Sequence, residues 1–173
     1  MTVDYKKLAE PSVQVAEAVT RWNNDPEILH FIRPSKNQDE FGKKKIVTVD
    51  DLAERMRRQT IYLVYLDDQL IGELSFEVDP ELLHKKEKGT AWLGIALGEA
   101  AARGRGIGGA AIRYLEDQIR IAGCRRIELG VFEFNARAIG LYRKLGYTEI
   151  GRIEAFTWWQ GTMWQDIRME KYL

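Results

Sequence analysis

A chain of 173 residues is long enough to bury one sizeable core and short for two, so a single domain over residues 1–173 is expected. Lysine plus arginine and aspartate plus glutamate are equal at 26 each, which removes any overall field toward nucleic acid or an anionic membrane and leaves binding to local sites. The opening MTVDYKKLAE lacks an apolar signal core, and no apolar run approaches the ~20 residues that span a bilayer, so a soluble cytoplasmic protein is expected. The single Cys124 excludes an internal disulfide and a multi-cysteine zinc site, and it reads as a small buried residue. His30 and His84 stand apart without a ligand set, so no metal is expected.

In chain order, PSVQVAEAVTRWNND puts Val15, Ala18, Val19 and Trp22 at helical spacing and ends at Asp25-Pro26, where proline restrains the residue before it. PEILHFIRPSKNQDEFGKKK has no sustained period and reads as a long loop with one helical turn. TVDDLAERMRRQ predicts a short helix capped by Thr48 or Asp50. IYLVYL and LIGELSFEVD, joined through Asp67-Asp68-Gln69, predict a tight hairpin, and TAWLGIAL a further strand. A glycine-rich turn then opens a long amphipathic helix with Ile107, Ala111, Tyr114, Leu115, Ile119 and Ala122 on its apolar side, closed by Gly123. CRRIELGVF alternates as a strand, and NARAIGLYRKLG reads as a helix between Asn and Gly. YTEIGRIEAFTWW and TMWQDIRMEKYL flank Gln160-Gly161 as a closing hairpin. The result is a mixed α/β sandwich, mostly antiparallel and parallel only in its middle.

The glycine turn ARGRGIGGAAI admits three readings. Gly104, Gly106 and Gly109 spell the dinucleotide fingerprint G-x-G-x-x-G; Arg103, Gly106 and Gly108 spell the acyl-coenzyme A pattern R-x-x-G-x-G; or the turn is a bare structural cap. A strand feeding a glycine turn at a helix start gathers free backbone N–H groups and the positive end of the helix dipole, and Arg103 and Arg105 add charge, so a phosphate is the expected ligand. A dinucleotide site needs an acid at the end of the next strand, whereas Glu128 sits inside a strand that runs past it, and too little chain follows for a doubly wound sheet.

These residues resemble a known family. GIALGEAAARGRGIGGAAI followed by RRIELGVFEFNARAIGLYRKLGYTEIGRI is similar to the coenzyme A core of the GNAT superfamily of N-acetyltransferases. WNNDPEI and GTMWQDIRMEKYL resemble its branch of ribosomal-protein N-terminal, polyamine and amino-sugar acetyltransferases. The resemblance implies a central sheet with a splayed parallel pair, flanked by helices, and acetyl-coenzyme A as cofactor. It implies that Arg103, Gly104, Arg105, Gly106, Ile107, Gly108 and Gly109 surround the pyrophosphate, and that Ile95 and Leu97 pair with the pantetheine arm like an added strand. Asn135 would hydrogen-bond that arm, Ala138 would leave it room, Lys144 would reach a phosphate, and Tyr142 would protonate the departing thiolate. Gly109-Ala110 departs from the branch, where a hydroxyl residue and a Glu are common. The implied partner is a small-molecule or peptide amine, with a homodimer left open.

The chemistry needs a neutral amine, a donor for the developing oxyanion and a proton for sulfur. A backbone N–H on the Ile95 to Leu97 strand suits the oxyanion. On periodicity alone Tyr142 belongs to an apolar stripe with Ala138, Leu141 and Leu145; the surrounding motif makes it the acid. No base stands out: TAWLGIAL carries no carboxylate, and Glu73, Glu77, Glu133 and Asp166 each read first as surface charges. A weak base tilts the acceptor toward N-terminal or sugar amines, because an α-amine titrates at about 7.7 to 8.0 and a lysine near 10.4. Trp22, Asn24, Asp25 and Glu27 are the residues that the branch resemblance sets at the acceptor wall. Trp158 and Trp159 are neighbours in a strand and so point to opposite faces. A catalytically idle acyl-coenzyme A-binding module is the competing class.

Overall fold

The computed structural model describes residues 1–173. Its strands are β1 (Val3–Lys7), β2 (Gln59–Leu66), β3 (Gln69–Val78), β4 (Thr90–Leu97), β5 (Arg126–Phe132), β6 (Thr148–Trp159) and β7 (Thr162–Tyr172). The helices are α1 (Val13–Asn24), α2 (Leu29–Ile32), α3 (Gln38–Gly42), α4 (Val49–Arg58), α5 (Ile107–Ile121) and α6 (Ala136–Lys144). The strands form one seven-stranded sheet in the order β1-β2-β3-β4-β5-β7-β6. Every neighbouring pair is antiparallel except β4 and β5. No helix is long and apolar enough to cross a membrane.

Local chemistry sets the joints. Asp67 and Asp68 both take positive φ, at 45° and 66°, which gives the two-residue β2-β3 turn the twist that a hairpin needs. Of the two cap candidates for α4 it is Thr48 that serves, in a capping box with Asp51. The apolar stripe of α5 buries Ile112, Leu115 and Ile119 against Leu74, Leu93, Ile127 and Leu129 of the sheet. The other sheet face packs Ile61 and Leu63 against Trp22 of α1 and Leu52 of α4. Each such buried aliphatic contributes roughly 1.5–3 kcal/mol.

Two segments depart from the sequence expectation. β1 alternates only over the short run Val3-Asp4-Tyr5-Lys6, and it is held by its partner β2 and by the stacking of Tyr5 on Tyr114, ring centroids 4.2 Å apart. Residues 26–45, expected as a loop with one helical turn, hold the two short helices α2 and α3. Buried Arg33 organises them by donating to the carbonyls of Phe41 and Lys43 at 2.6 and 3.1 Å. The segment then docks on β6: Thr157 Oγ1 accepts from Ser35 N–H at 3.0 Å, and Trp158 N–H donates to Ser35 O at 2.7 Å.

One face of β5 and β7 carries a buried ionic network. Glu128 is fully buried; it accepts from Arg126 Nη2 at 2.8 Å and from the backbone N–H groups of His84 and Lys85. Arg126 Nε donates to Glu170 at 2.7 Å, and Arg168 Nη1 to Leu82 O at 2.9 Å. The β3-β4 connection is thereby fastened over the sheet, which is why Glu128 has no oxygen to offer a ribose. Replacing Glu128 by Ala leaves Arg126 with Glu170 as its one close carboxylate and the His84 and Lys85 N–H groups without their acceptor, and is expected to cost about 3–5 kcal/mol. In urea unfolding this appears as a lower midpoint at an unchanged slope.

Candidate active site

β4 and β5 pair only at Thr90↔Arg126, Ala91↔Ile127 and Trp92↔Glu128, and beyond Trp92 they part. The phase of the β3-β4 ladder is fixed at its two ends, where Asp79 N–H donates to Thr90 O and Gly98 N–H to Ile71 O, both at 2.8 Å. Even-numbered residues of β4 therefore turn their backbone polar groups to β3, and Leu93, Ile95 and Leu97 turn theirs into the gap. A cleft of about 1230 Å³ runs through that gap.

The glycine turn closes one end of the cleft. Gly104 and Gly106 sit in the left-handed region at φ 71° and 74°, a conformation that costs other residues roughly 1–2 kcal/mol. Gly108 has a different task, since a Cβ there would meet Leu141 Cδ2 at 3.3 Å; it lets α5 and α6 approach. The first intrahelical bond of α5 runs from Ala110 N–H to Gly106 O at 3.3 Å. The N–H groups of Ile107, Gly108 and Gly109 thus have no partner in the helix and are free to donate to an anion.

Of the expected cofactor residues, Ile95, Leu97, Arg103, Gly104, Gly106, Ile107, Gly108, Gly109, Asn135, Ala138 and Lys144 all line the cleft. Arg105 does not. It stands between two left-handed glycines that turn it outward, and its guanidinium lies 3.9 Å from Met1 Sδ on the exposed side. Asn135 caps α6 by accepting from Ala138 N–H through Oδ1 at 3.2 Å, and its amide N–H₂ has no acceptor in the protein. Arg103 is engaged with Glu27 at 2.7 Å across the mouth.

Tyr142, on α6, lines the cleft 7% exposed, edge-on to Tyr147 with centroids 5.7 Å apart. Burial pushes its phenol up to about 12. Its hydroxyl makes no hydrogen bond within the protein. Since Ser35 Oγ is the one sealed side-chain polar atom without a partner, the Tyr142 hydroxyl opens on the cleft.

On the acceptor side only Glu27 of the expected wall lines the cleft. Trp22 does not: it is 2% exposed, packs over Gly98 where no side chain would fit, and donates from Nε1 to Glu99 at 2.8 Å. Asn24 and Asp25 also lie off the cleft. Asn24 donates to Thr20 O and Lys45 O at 2.6 and 2.7 Å, while Asp25 ends α1 and accepts from Glu27 N–H at 2.9 Å. These polar residues serve the helix end, whose free carbonyls need partners. The wall is built instead by Phe31, Ile32, Pro34, Leu82, Trp92 and Phe156, with Glu73, Ser75, Asp166 and Arg168. Asp166 is not a surface charge but 3% exposed, and Glu73 is half-buried in an ion pair with Arg55 at 2.7 Å. The signal in the sequence was the alternation Asp166, Arg168, Glu170 between apolar Ile167 and Met169.

A helix start for phosphates, a free strand edge for an extended arm and a second chamber beyond it define a protein that presents the end of a long cofactor to another molecule. The chain belongs to the Acetyltransferase (GNAT) family, whose profile matches residues 17–147. Acetyl-coenzyme A is the cosubstrate of that family. Over 121 residues the chain is 27% identical to the spermine/spermidine N(1)-acetyltransferase of Bacillus subtilis, covering 69% of this chain and 79% of the relative. The spermidine N-acetyltransferase of Vibrio cholerae, solved with CoA and spermine, shares the fold with a TM-score of 0.74 at 17% identity, over 98% of this chain and 95% of that one. The ribosomal-protein-alanine N-acetyltransferase of Brucella melitensis does so with a TM-score of 0.72 at 18% identity, over the whole of both chains (100% each).

The residues present fit the cosubstrate of the family: unpaired N–H groups at the turn, an unpaired strand edge and a free Asn135 amide. A Gly106→Val substitution forces a β-branched residue into a left-handed position and puts a side chain at the anion site. It is expected to remove the thermal shift that saturating coenzyme A gives the parent protein while lowering the melting point of the free protein by only a few degrees.

Proposed function

We propose that residues 1–173 form one acetyl-coenzyme A-dependent N-acetyltransferase domain. It transfers the acetyl group to a primary amine, a protein N-terminus, a polyamine or an amino sugar, by direct attack in a ternary complex. The observation that carries this reading is the parting of β4 and β5 into a through-going cleft with the glycine turn at one end and a carboxylate-bearing chamber at the other. Acetyl-coenzyme A supplies the activated acetyl thioester. The odd-numbered N–H groups of β4 hold the pantetheine arm as a missing strand would and leave one donor for the acyl oxygen. Asn135 donates to the arm, and the turn takes the pyrophosphate. Tyr142 sits on the cofactor side of the gap with its hydroxyl free. Its raised pKa keeps the phenol protonated, so it stays a donor to the sulfur that leaves.

Acetyl-coenzyme A and coenzyme A are expected to raise the melting temperature and NAD to leave it unchanged; equal shifts would remove the acyltransferase reading. Tyr142→Phe should lower coenzyme A release about a hundred- to ten-thousand-fold, the usual worth of general acid catalysis, with cofactor affinity and stability nearly unchanged. Because the phenol titrates near 12, the parent rate should show no fall that tracks tyrosine ionisation below about pH 11. Parent-like turnover in Tyr142→Phe would give Tyr142 back to the core stripe, whereas a fall near the ordinary phenol value of about 10 would show the acid working without the shift that burial gives it.

A further inference from the structure

The acceptor chamber holds one carboxylate that the reading above leaves without a task. Asp166 of β7 lies opposite Phe132 of β5 and Ile153 of β6. Its Oδ2 accepts from Arg168 Nε at 2.7 Å, and Oδ1 has no partner in the protein. That oxygen is not a sealed polar atom, so the cleft reaches it. Room for the carboxylate comes from Gly130, where a Cβ would lie 2.5 Å from Asp166 Oδ2 and 3.1 Å from the Trp92 ring. Asp166 thus stands at the parting of β4 and β5, on the face opposite α5.

Most of the surrounding wall is apolar. Phe156 packs on Phe132 at 6.0 Å, and Phe132 is joined through Phe134 at 5.6 Å to Phe31, a further 6.0 Å away. Leu82 is held beside Arg168 by its carbonyl, and Pro34 precedes the Ser35 that docks on Thr157. The remaining charges are already paired. Glu27 meets Arg103 and Glu73 meets Arg55, both at 2.7 Å, and Arg168 reaches Glu128 at 3.8 Å. Trp92 of β4 meets Asp166 over Gly130, and Ile153 of β6 stands opposite it in the ladder; neither titrates. Burial holds the Asp166 carboxyl above its ordinary range despite the opposing pull of Arg168.

We propose that Asp166 binds the acceptor's ammonium and takes its proton, and that the acceptor is a singly charged amine with an apolar flank. This rests on the acetyltransferase reading and narrows it. One ammonium finds one open carboxylate oxygen; each further charge of a polyamine would find Glu27 and Glu73 already engaged by arginines and Arg168 repelling it. In the reaction R–NH₃⁺ gives one proton to Asp166, and the nitrogen lone pair forms the C–N bond as the C–S bond breaks. Tyr142 protonates the sulfur and is restored by the second proton lost from nitrogen. Asp166 then returns its proton to water, so the products are amide, thiol and one H⁺.

The test compares 2-phenylethylamine and phenylalaninamide with spermidine on the full chain. The monoamines are expected to show a kcat/KM higher by roughly tenfold or more, as an apolar pocket discriminates. Asp166→Asn should cut that kcat/KM by about a hundredfold or more and weaken calorimetric binding of 2-phenylethylamine to the coenzyme A-loaded protein, with acetyl-coenzyme A affinity unchanged. Should Asp166→Asn fail to fold, Phe31→Ala, at a side chain 39% exposed, should lower the ratio of monoamine to spermidine kcat/KM. Preference for spermidine, parent-like amine binding and turnover in Asp166→Asn, or an unchanged ratio in Phe31→Ala each overturns the assignment and leaves the acetyltransferase reading standing. No coenzyme A release with any amine would overturn both.

Discussion

Three residue pairs hold β4 to β5, and the rest of the molecule is arranged around the place where they stop. A strand in mid-sheet owes every N–H and C=O a partner, and a buried group without one costs about 1–3 kcal/mol. Along Leu93, Ile95 and Leu97 that obligation is met only from within the cleft, so the sheet stays incomplete until something extended lies against it. The glycine turn after β4 leads into α5 and aims the helix dipole at the same opening. Tyr142 reaches it from one sheet face and Asp166 from the other. The sheet is thus a partition pierced once, with the two ends of the proposed reaction on its two sides.

The ionic network beside the gap fills a space that an ordinary core would close with apolar side chains. Arg126, Glu128 and Glu170 are buried together, and their Coulomb attraction largely offsets the loss of their hydration and little more. Their use is geometric. By holding the backbone of His84 and Lys85 and the carbonyl of Leu82, the network fixes a connection whose apolar anchorage is otherwise limited to Pro80 and Leu83. One wall of the acceptor chamber is thereby a loop held as firmly as a strand.

How much was legible in the sequence follows from where each feature is encoded. The cofactor side was legible because its parts are local: Gly104 and Gly106 carry a backbone conformation, Asn135 a cap, and α5 an apolar period, each within a few residues of what it serves. The acceptor side was not, because Phe31, Pro34, Leu82, Phe156 and Asp166 meet only through the docking of segments far apart in the chain. Trp22, Asn24 and Asp25 show the opposite hazard. Polar and aromatic residues at a helix end look like a binding wall, yet Asn24 and Asp25 serve the helix end and Trp22 the core. β1 escaped notice because its alternation is confined to Val3-Asp4-Tyr5-Lys6, a short run rich in charge at the edge of the sheet.

Asn135 carries a last consequence. Its carbonyl oxygen belongs to the fold, as the acceptor that starts α6, while its amide hydrogens belong to whatever enters the cleft. In the proposed complex a single planar group is divided between the stability of the protein and its recognition of the cofactor, with the rigid amide transmitting the orientation of one to the other. Asp at this position would keep the cap and turn a donor into an acceptor; Ser would keep the cap and shorten the reach. The two roles can therefore be taken apart chemically without disturbing the helix, so affinity for the ligand could drift here over evolutionary time while the fold registers no change.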